Sequence, residues 1–345
     1  MKKTFAVLLL ASISYVATAQ QSNEEPFMTK SLSSESIQSA TAKTTGGNIS
    51  VEGVDAQARI DVYVRAGNSK DKNLSKADLQ KRLDEDYDLT ITTSNHELTA
   101  IAKPKQNNRN WNSSLSISFK IYIPRNSSTN LSTSGGNISL NSLSGKQDFT
   151  TSGGNLNITQ VKGNIKGRTS GGNINVSDAS DVVDLGTSGG NITAENAKGT
   201  IKLTTSGGSL KLTSLQGNIK ATTSGGNVTG NNISGELVAS TSGGNIRMSA
   251  LTCSLETSTS GGNIDVDMTS LGKYLTVSNS GGNIDIQMPQ DKGVTLKLYA
   301  DKIKVSTLSN FKGDIEKDRI EGTLAGGGIP VTVRGNSGRL NLTLK

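Results

Sequence analysis

Thr133-Ser134-Gly135-Gly136-Asn137-Ile138 returns as Thr151-Ser152-Gly153-Gly154-Asn155-Leu156, and again from Thr169, Thr187, Thr205, Thr223, Thr241 and Thr259, always at an interval of 18 residues. A ninth copy, Asn279-Ser280-Gly281-Gly282-Asn283-Ile284, follows after 20. An outlying copy, Thr45-Gly46-Gly47-Asn48-Ile49, lies far upstream, and a decayed one, Asn336-Ser337-Gly338-Arg339-Leu340, closes the chain. A fixed period of this length is the signature of a stacked repeat architecture. It also decides how the composition is read. Gly supplies 39 of 345 residues and aromatics only 3%, a bias that would suggest disorder if the residues recurred without order.

Within a unit the apolar residues alternate. The sixth and eighth positions carry Ile138 and Leu140, Leu156 and Ile158, Ile174 and Val176, Leu210 and Leu212, Ile246 and Met248, Ile264 and Val266. The fifteenth and seventeenth carry Ile201 and Leu203, Ile219 and Ala221, Leu237 and Ala239, with Val182 and Leu185 as a shifted pair. Period-two alternation over so few residues predicts strands. Gly-Gly stands on one side of them and a single Gly on the other, at 145, 163, 199, 217 and 235; glycine enters φ > 0 without a Cβ penalty, which suits it to tight bends. One unit buries too little to fold alone. Stacking the units at about 4.8 Å lets each strand pair in parallel with the turns above and below. The fold class expected is all-β: a parallel β-solenoid (β-helix) of 18-residue coils, nine of them spanning roughly 40 Å, with Thr at the first position packed partly inward.

The asparagine after Gly-Gly recurs as Asn137, Asn155, Asn173, Asn191, Asn227, Asn245, Asn263 and Asn283. In register these stack into an amide ladder, side chain to side chain. A polar stripe for a ligand is the competing reading; turn chemistry with ladder bonding is the simpler one. Ser209 interrupts the series.

Open solenoid ends expose strand edges, so terminal segments depart from the repeat. Residues 1–19 read as a signal peptide: Lys2 and Lys3, an apolar run, then Ala17-Thr18-Ala19 as a small-x-small cleavage site. Residues 20–43 form a lead-in and 44–132 an N-terminal cap with the first coils. The regular repeats occupy 133–288 and closing coils 289–345. The cap contains one short helix, Leu74 to Leu83, started by Ser75-Lys76-Ala77-Asp78, and strands at Ile60 to Val64, Tyr87 to Thr93, Glu97 to Ala102 and Leu115 to Ile123. Closing strands are expected at Val294 to Tyr299, Ile303 to Leu308 and Ile329 to Val333. No later stretch is apolar for long enough to give a transmembrane helix, so the expected location is outside the cytoplasm: periplasm, outer surface or medium.

Function classes narrow by what is missing. After cleavage 34 Lys and Arg face 29 Asp and Glu, a net +5 spread along the chain. That gives neither the basic stripe nor the interleaved aromatics of a nucleic-acid binder, leaving only mild general attraction to anionic lipopolysaccharide. His96 is the single histidine and follows Asn95 at a predicted hairpin tip; Cys253 is the single cysteine. A Ser-His-Asp triad would depend on His96 alone, and zinc needs more ligands than the chain offers. Asp265, Asp267 and Asp285 could align on adjacent coils as in polysaccharide-cleaving β-helices, yet they alternate with Ile264, Val266, Ile284 and Ile286 and so face solvent. The turn holds Asn and no Asp, unlike calcium-binding rolls, and ice-binding solenoids display two Thr columns where this chain has one. No cofactor, catalytic residue or metal ligand is expected, and the chain reads as no enzyme. Sugar-binding surfaces use aromatic platforms. The aromatics gather in the cap, at Tyr63, Tyr87, Trp111, Phe119 and Tyr122, and Trp111, in the polar loop Asn107 to Asn112, is the one candidate ligand contact.

The run Ile121-Tyr122-Ile123-Pro124, a polar spacer, and then Leu131-Ser132-Thr133-Ser134-Gly135-Gly136-Asn137-Ile138 resembles a bacterial family of unknown function, candidate adhesins built on TSGGNI β-strand repeats. The copy from Thr45 to Gly53 fits the beginning of that pattern, and the resemblance runs from about Thr44 to Lys345. It implies a β-solenoid placed in the envelope or on the surface, with no catalytic residues to carry over. The leading expectation is an exported, non-enzymatic structural or adhesive protein whose partner is unknown, a cell-surface glycan or an envelope protein being the candidates. The alternatives are a regulatory or sensory envelope module acting through a protein partner, and a polysaccharide-active β-helix.

Overall fold

The structure is a computed structural model that describes residues 25–32, 34–67, 74–105 and 114–345. The expected signal peptide, Trp111 and its polar loop lie outside the described residues.

The repeats stack as a parallel β-solenoid in an 18-residue register. Leu156–Thr159 pairs in parallel with Ile138–Asn141 on one side and Ile174–Ser177 on the other. The second strand does the same: Lys162–Arg168 lies between Ser144–Thr151 and Ser180–Gly186. Ile165 aligns with Val183, so the unit at 182–185 is not shifted; Val183 and Leu185 point inward and Val182 is 43% exposed. Register shifts between Ile246–Thr259 and Ile264–Asn279, which leave Leu255 opposite Leu275, absorb the two extra residues before the ninth copy.

Seven turns have a third bend that the alternation did not announce. Ser142, Gln160, Asp178, Asn196, Ser214, Asn232 and Ala250, again 18 apart, all sit at φ between 52 and 56°. This left-handed conformation is uncommon outside glycine. The next residue of each turn, including Leu143, Val161, Ala179, Leu215 and Ile233, is buried and lines a short third side. Two residues further on, Gly145, Gly163, Gly199, Gly217 and Gly235 adopt φ between 104 and 121°, the role expected of them. The core is therefore a slim aliphatic column fed from three sides, not two.

The outlying copies are not outliers in space. Ser39–Lys43 lies between Ser128–Thr133 and Glu97–Pro104, and Ile49–Val54 lies between Ile138–Asn141 and Leu115–Pro124. The Thr45 copy thus stacks directly on the Thr133 copy, and the intervening chain forms the layer beyond it. Arg59–Ala66 and then Met28–Ser31 extend that layer antiparallel. So does Tyr87–Ser94, joined to Glu97–Pro104 through Asn95 and His96 at positive φ. The helix spans Lys76–Asp86, with the Ser75 hydroxyl accepting from the Asp78 N–H at its start and Leu83 buried.

The other end repeats the device. Ile329–Gly335 is slotted between Ile264–Asn279 and Val294–Tyr299, and Arg339–Leu344 between Ile284–Met288 and Lys302–Val305. The last strand of the outer layer is Lys302–Val305 and does not reach Leu308. An antiparallel hairpin, Phe311–Ile315 with Arg319–Leu324, continues beyond Val294–Tyr299.

Candidate functional site

The recurring Thr-Ser-Gly-Gly-Asn corner is built from hydrogen bonds between turns. Thr151 shows the pattern: its hydroxyl donates to the Gly136 carbonyl of the preceding turn at 2.8 Å and accepts from the Gly154 N–H of its own at 3.2 Å. Thr133, Thr169, Thr187, Thr205, Thr223, Thr241 and Thr259 are at most 7% exposed, so the threonine column is fully inside. This recurring column is therefore not the surface array that an ice-binding face would display. Where Asn279 replaces threonine, its amide divides the two tasks, donating to Gly262 and accepting from the Gly281 N–H.

The two glycines of the corner have different reasons. A Cβ on the second would fall inside the preceding turn: on Gly154 it would be 1.8 Å from the Gly136 oxygen, on Gly172 1.9 Å from that of Gly154. These glycines are not at positive φ. Close approach of stacked backbones, not bend geometry, requires them.

The asparagines do line up, but the bonds run from backbone to side chain. The Asn155 N–H donates to Asn137 Oδ1, Asn173 to Asn155 and Asn191 to Asn173, each at 2.8 Å. The pattern passes through Ser209, whose N–H donates to Asn191 and whose hydroxyl accepts from the Asn227 N–H. Serine therefore keeps the series intact where the sequence suggested a gap. It continues through Asn245, Asn263 and Asn283 to the N–H of Arg339. At the other end it continues through Asn48 to Ser118. A side-chain oxygen suits this task because consecutive N–H groups at a corner cannot all reach the preceding turn's carbonyls.

The carboxylates Asp265, Asp267 and Asp285 do meet on adjacent turns, Asp265 directly opposite Asp285. Each is engaged: Asp265 by Arg247 at 3.5 Å, Asp267 by Lys345, and Asp285 by the Asn341 amide. Among the described residues no three His, Cys, Asp or Glu side chains are grouped to hold a metal ion. His96 sits at its hairpin tip. Cys253 occupies a slot of the bend-glycine column, opposite Gly235, and burial pushes its thiol up to about 12. Three of the cap aromatics are engaged in packing or hydrogen bonding. Phe119 and Tyr122 are buried, the Arg59 guanidinium lies 3.8 Å over the Tyr122 ring, and the Tyr87 hydroxyl accepts from the Leu115 N–H. An open groove runs over the bend glycines, lined by Lys162, Asp178, Asp181 and Lys198, charges that offset one another.

The model of the family described as Toastrack DUF4097 matches residues 69–250 and 183–343. The chain belongs to the Toastrack family. No curated protein matches this Toastrack chain. Among solved structures it is similar to a candidate lipid binding protein from Parabacteroides distasonis, at 12% identity over 92% of this chain and 97% of that one, with a TM-score of 0.28. It is similar to a candidate adhesin from Parabacteroides merdae, at 14% identity over 92% and 97%, with a TM-score of 0.26. A candidate cell adhesion protein from Clostridium sporogenes shares 10% over 92% and 98%, with a TM-score of 0.20. Among the described residues no helix is long and apolar enough to cross a membrane.

Proposed function

We propose that this Toastrack chain is an exported, non-enzymatic rod of the bacterial cell envelope or surface, serving a structural or adhesive role. The observation that carries the reading is the unbroken corner series from Ser118 to Arg339, which spends the recurring polar residues on joining turns. Eleven such steps at the spacing of paired strands give a stiff body of about 50 Å. The carboxylates weighed as chemistry-bearing groups support the same view, since Asp265, Asp267 and Asp285 each face a basic or amide partner. The candidate partners remain a cell-surface glycan and an envelope protein, and Trp111 remains the proposed ligand contact.

Binding of the purified protein to whole cells or a glycan array tests the adhesive part. Binding that falls in Trp111→Ala would assign the contact to the cap. Polysaccharide turnover that vanishes in Asp265→Asn would overturn the non-enzymatic reading. Co-purification with an envelope protein, without any glycan binding, would favour the sensory alternative.

A further inference from the structure

The two ends of the rod treat their free edges differently. At the N-terminal end, Tyr87–Ser94 is an edge strand, but Lys30 Nζ reaches across and donates to its Ile91 carbonyl at 3.1 Å. At the C-terminal end, Phe311–Ile315 pairs among the described residues only with Arg319–Leu324. It is exposed along nearly its whole length, and Ile315 is 61% exposed, the most open large apolar side chain among the described residues.

The phase of the hairpin fixes which backbone groups are free. The Glu316 N–H donates to the Arg319 carbonyl at 2.7 Å, and the Ala325 N–H to the Asn310 carbonyl at 3.3 Å. Bonded pairs alternate along an antiparallel ladder, so Lys312 and Asp314 face inward to Thr323 and Glu321. Phe311, Gly313 and Ile315 therefore direct their N–H and C=O groups to the open edge. Native proteins normally blunt such an edge.

That edge is complementary to itself. Laid antiparallel on a second copy about a two-fold axis through Gly313, it sets Gly313 against Gly313 and Phe311 against Ile315 of the other chain. All three residues with free backbone groups then become bonded pairs. On the opposite face Lys312 meets Asp314 of the second copy, twice, and opposite charges directly across a strand pair stabilise it. The apolar pair covers the exposed Ile315. The adjoining edge, Lys302–Val305, offers no such match because Lys302 and Lys304 are both basic.

We propose that two copies of this protein join tail to tail by antiparallel pairing of Phe311–Ile315, with Lys312 opposite Asp314 of the second copy. The arrangement is a closed, isologous dimer. It would place the two N-terminal caps at opposite ends of one longer rod. Five residues from each chain bury well under the roughly 800 Å² per partner of a standard interface, so association is reversible and depends on concentration.

Sedimentation equilibrium of the purified protein across a concentration series tests this. The expected result is a mass that rises toward two chains. Lys312→Asp or Asp314→Lys alone, each setting like charges opposite twice, should weaken association by more than about tenfold. The double exchange should restore it. Hydrogen exchange on the unsubstituted protein gives a second reading: the amides of Phe311, Gly313 and Ile315 gain protection at high concentration while those of Lys312 and Asp314 do not change. A single-chain mass at every concentration overturns the proposal. So do single variants that associate as the parent does, a double variant no stronger than the singles, or exchange at the three amides that ignores concentration.

Discussion

A methyl group built on Gly172 would lie 1.9 Å from the Gly154 carbonyl oxygen, whereas one on Gly171 would lie 3.8 Å from its nearest neighbour. Gly172→Ala should therefore cost at least about 1–3 kcal/mol, the range of an overpacked interior, and Gly171→Ala should stay within about 0.5 kcal/mol. Paired thermal melts separate the two. The sequence shows both glycines repeating and cannot say which one is sterically required, because that depends on the turn stacked against it. The threonine is similar. Thr187→Val removes a hydroxyl serving both the Gly172 carbonyl and the Gly190 N–H, leaving buried groups unmet at a cost of about 1–3 kcal/mol. Asn191→Ala strips the acceptor from the Ser209 N–H and should cost about 1 kcal/mol, while Asn191→Ser should cost less because Ser209 already fills that role. An unchanged melt for Asn191→Ala would refute a stabilising part for the series. Burial holds the Cys253 thiol neutral to about 12 against an ordinary 9.0. Between these values the unfolded chain ionises and the folded one does not, so stability falls as pH rises through that window. Below it, native protein should resist thiol reagents and unfolded protein should not.

At the scale of a strand or bend, the two alternating legs were legible because period two survives any choice of aliphatic residue. The third leg was not. Its bend at Ser142, Gln160, Asp178 and their equivalents uses whichever residue tolerates φ near 55°, so no single residue type marks it. Its one inward side chain per turn is too short a run to show alternation. That side chain still matters: Leu215 is 1% exposed, and Leu215→Ala should cost about 2–5 kcal/mol in a denaturant melt. The helix was readable from its cap, since the Ser75 hydroxyl and Asp78 N–H meet as their spacing implies. The burial of Phe119 and Tyr122 was not foreseeable from sequence, because it depends on Arg59 and the returning strand Leu115–Pro124.

For the whole molecule, the repeat announced a rod but not how its ends close. Sequence distance separates Thr45 from Thr133, yet the Ser134 and Gly135 N–H groups both donate to the Thr45 carbonyl. At each end a terminal copy is inserted beneath an outer layer, so strand order departs from chain order. Periodicity cannot report such an insertion. A chain stopped at Met288 would lose Ile329–Gly335 and Arg339–Leu344, baring the edges of Ile264–Asn279 and Ile284–Met288. It should aggregate where the full chain stays dispersed, which light scattering would show. Placement decides whether the rod can display anything at all. The direct measurement is protease treatment of intact cells carrying the protein, followed by fractionation. An exported surface rod should be lost or clipped while the cells remain whole. Protection until the envelope is breached would contradict adhesive display.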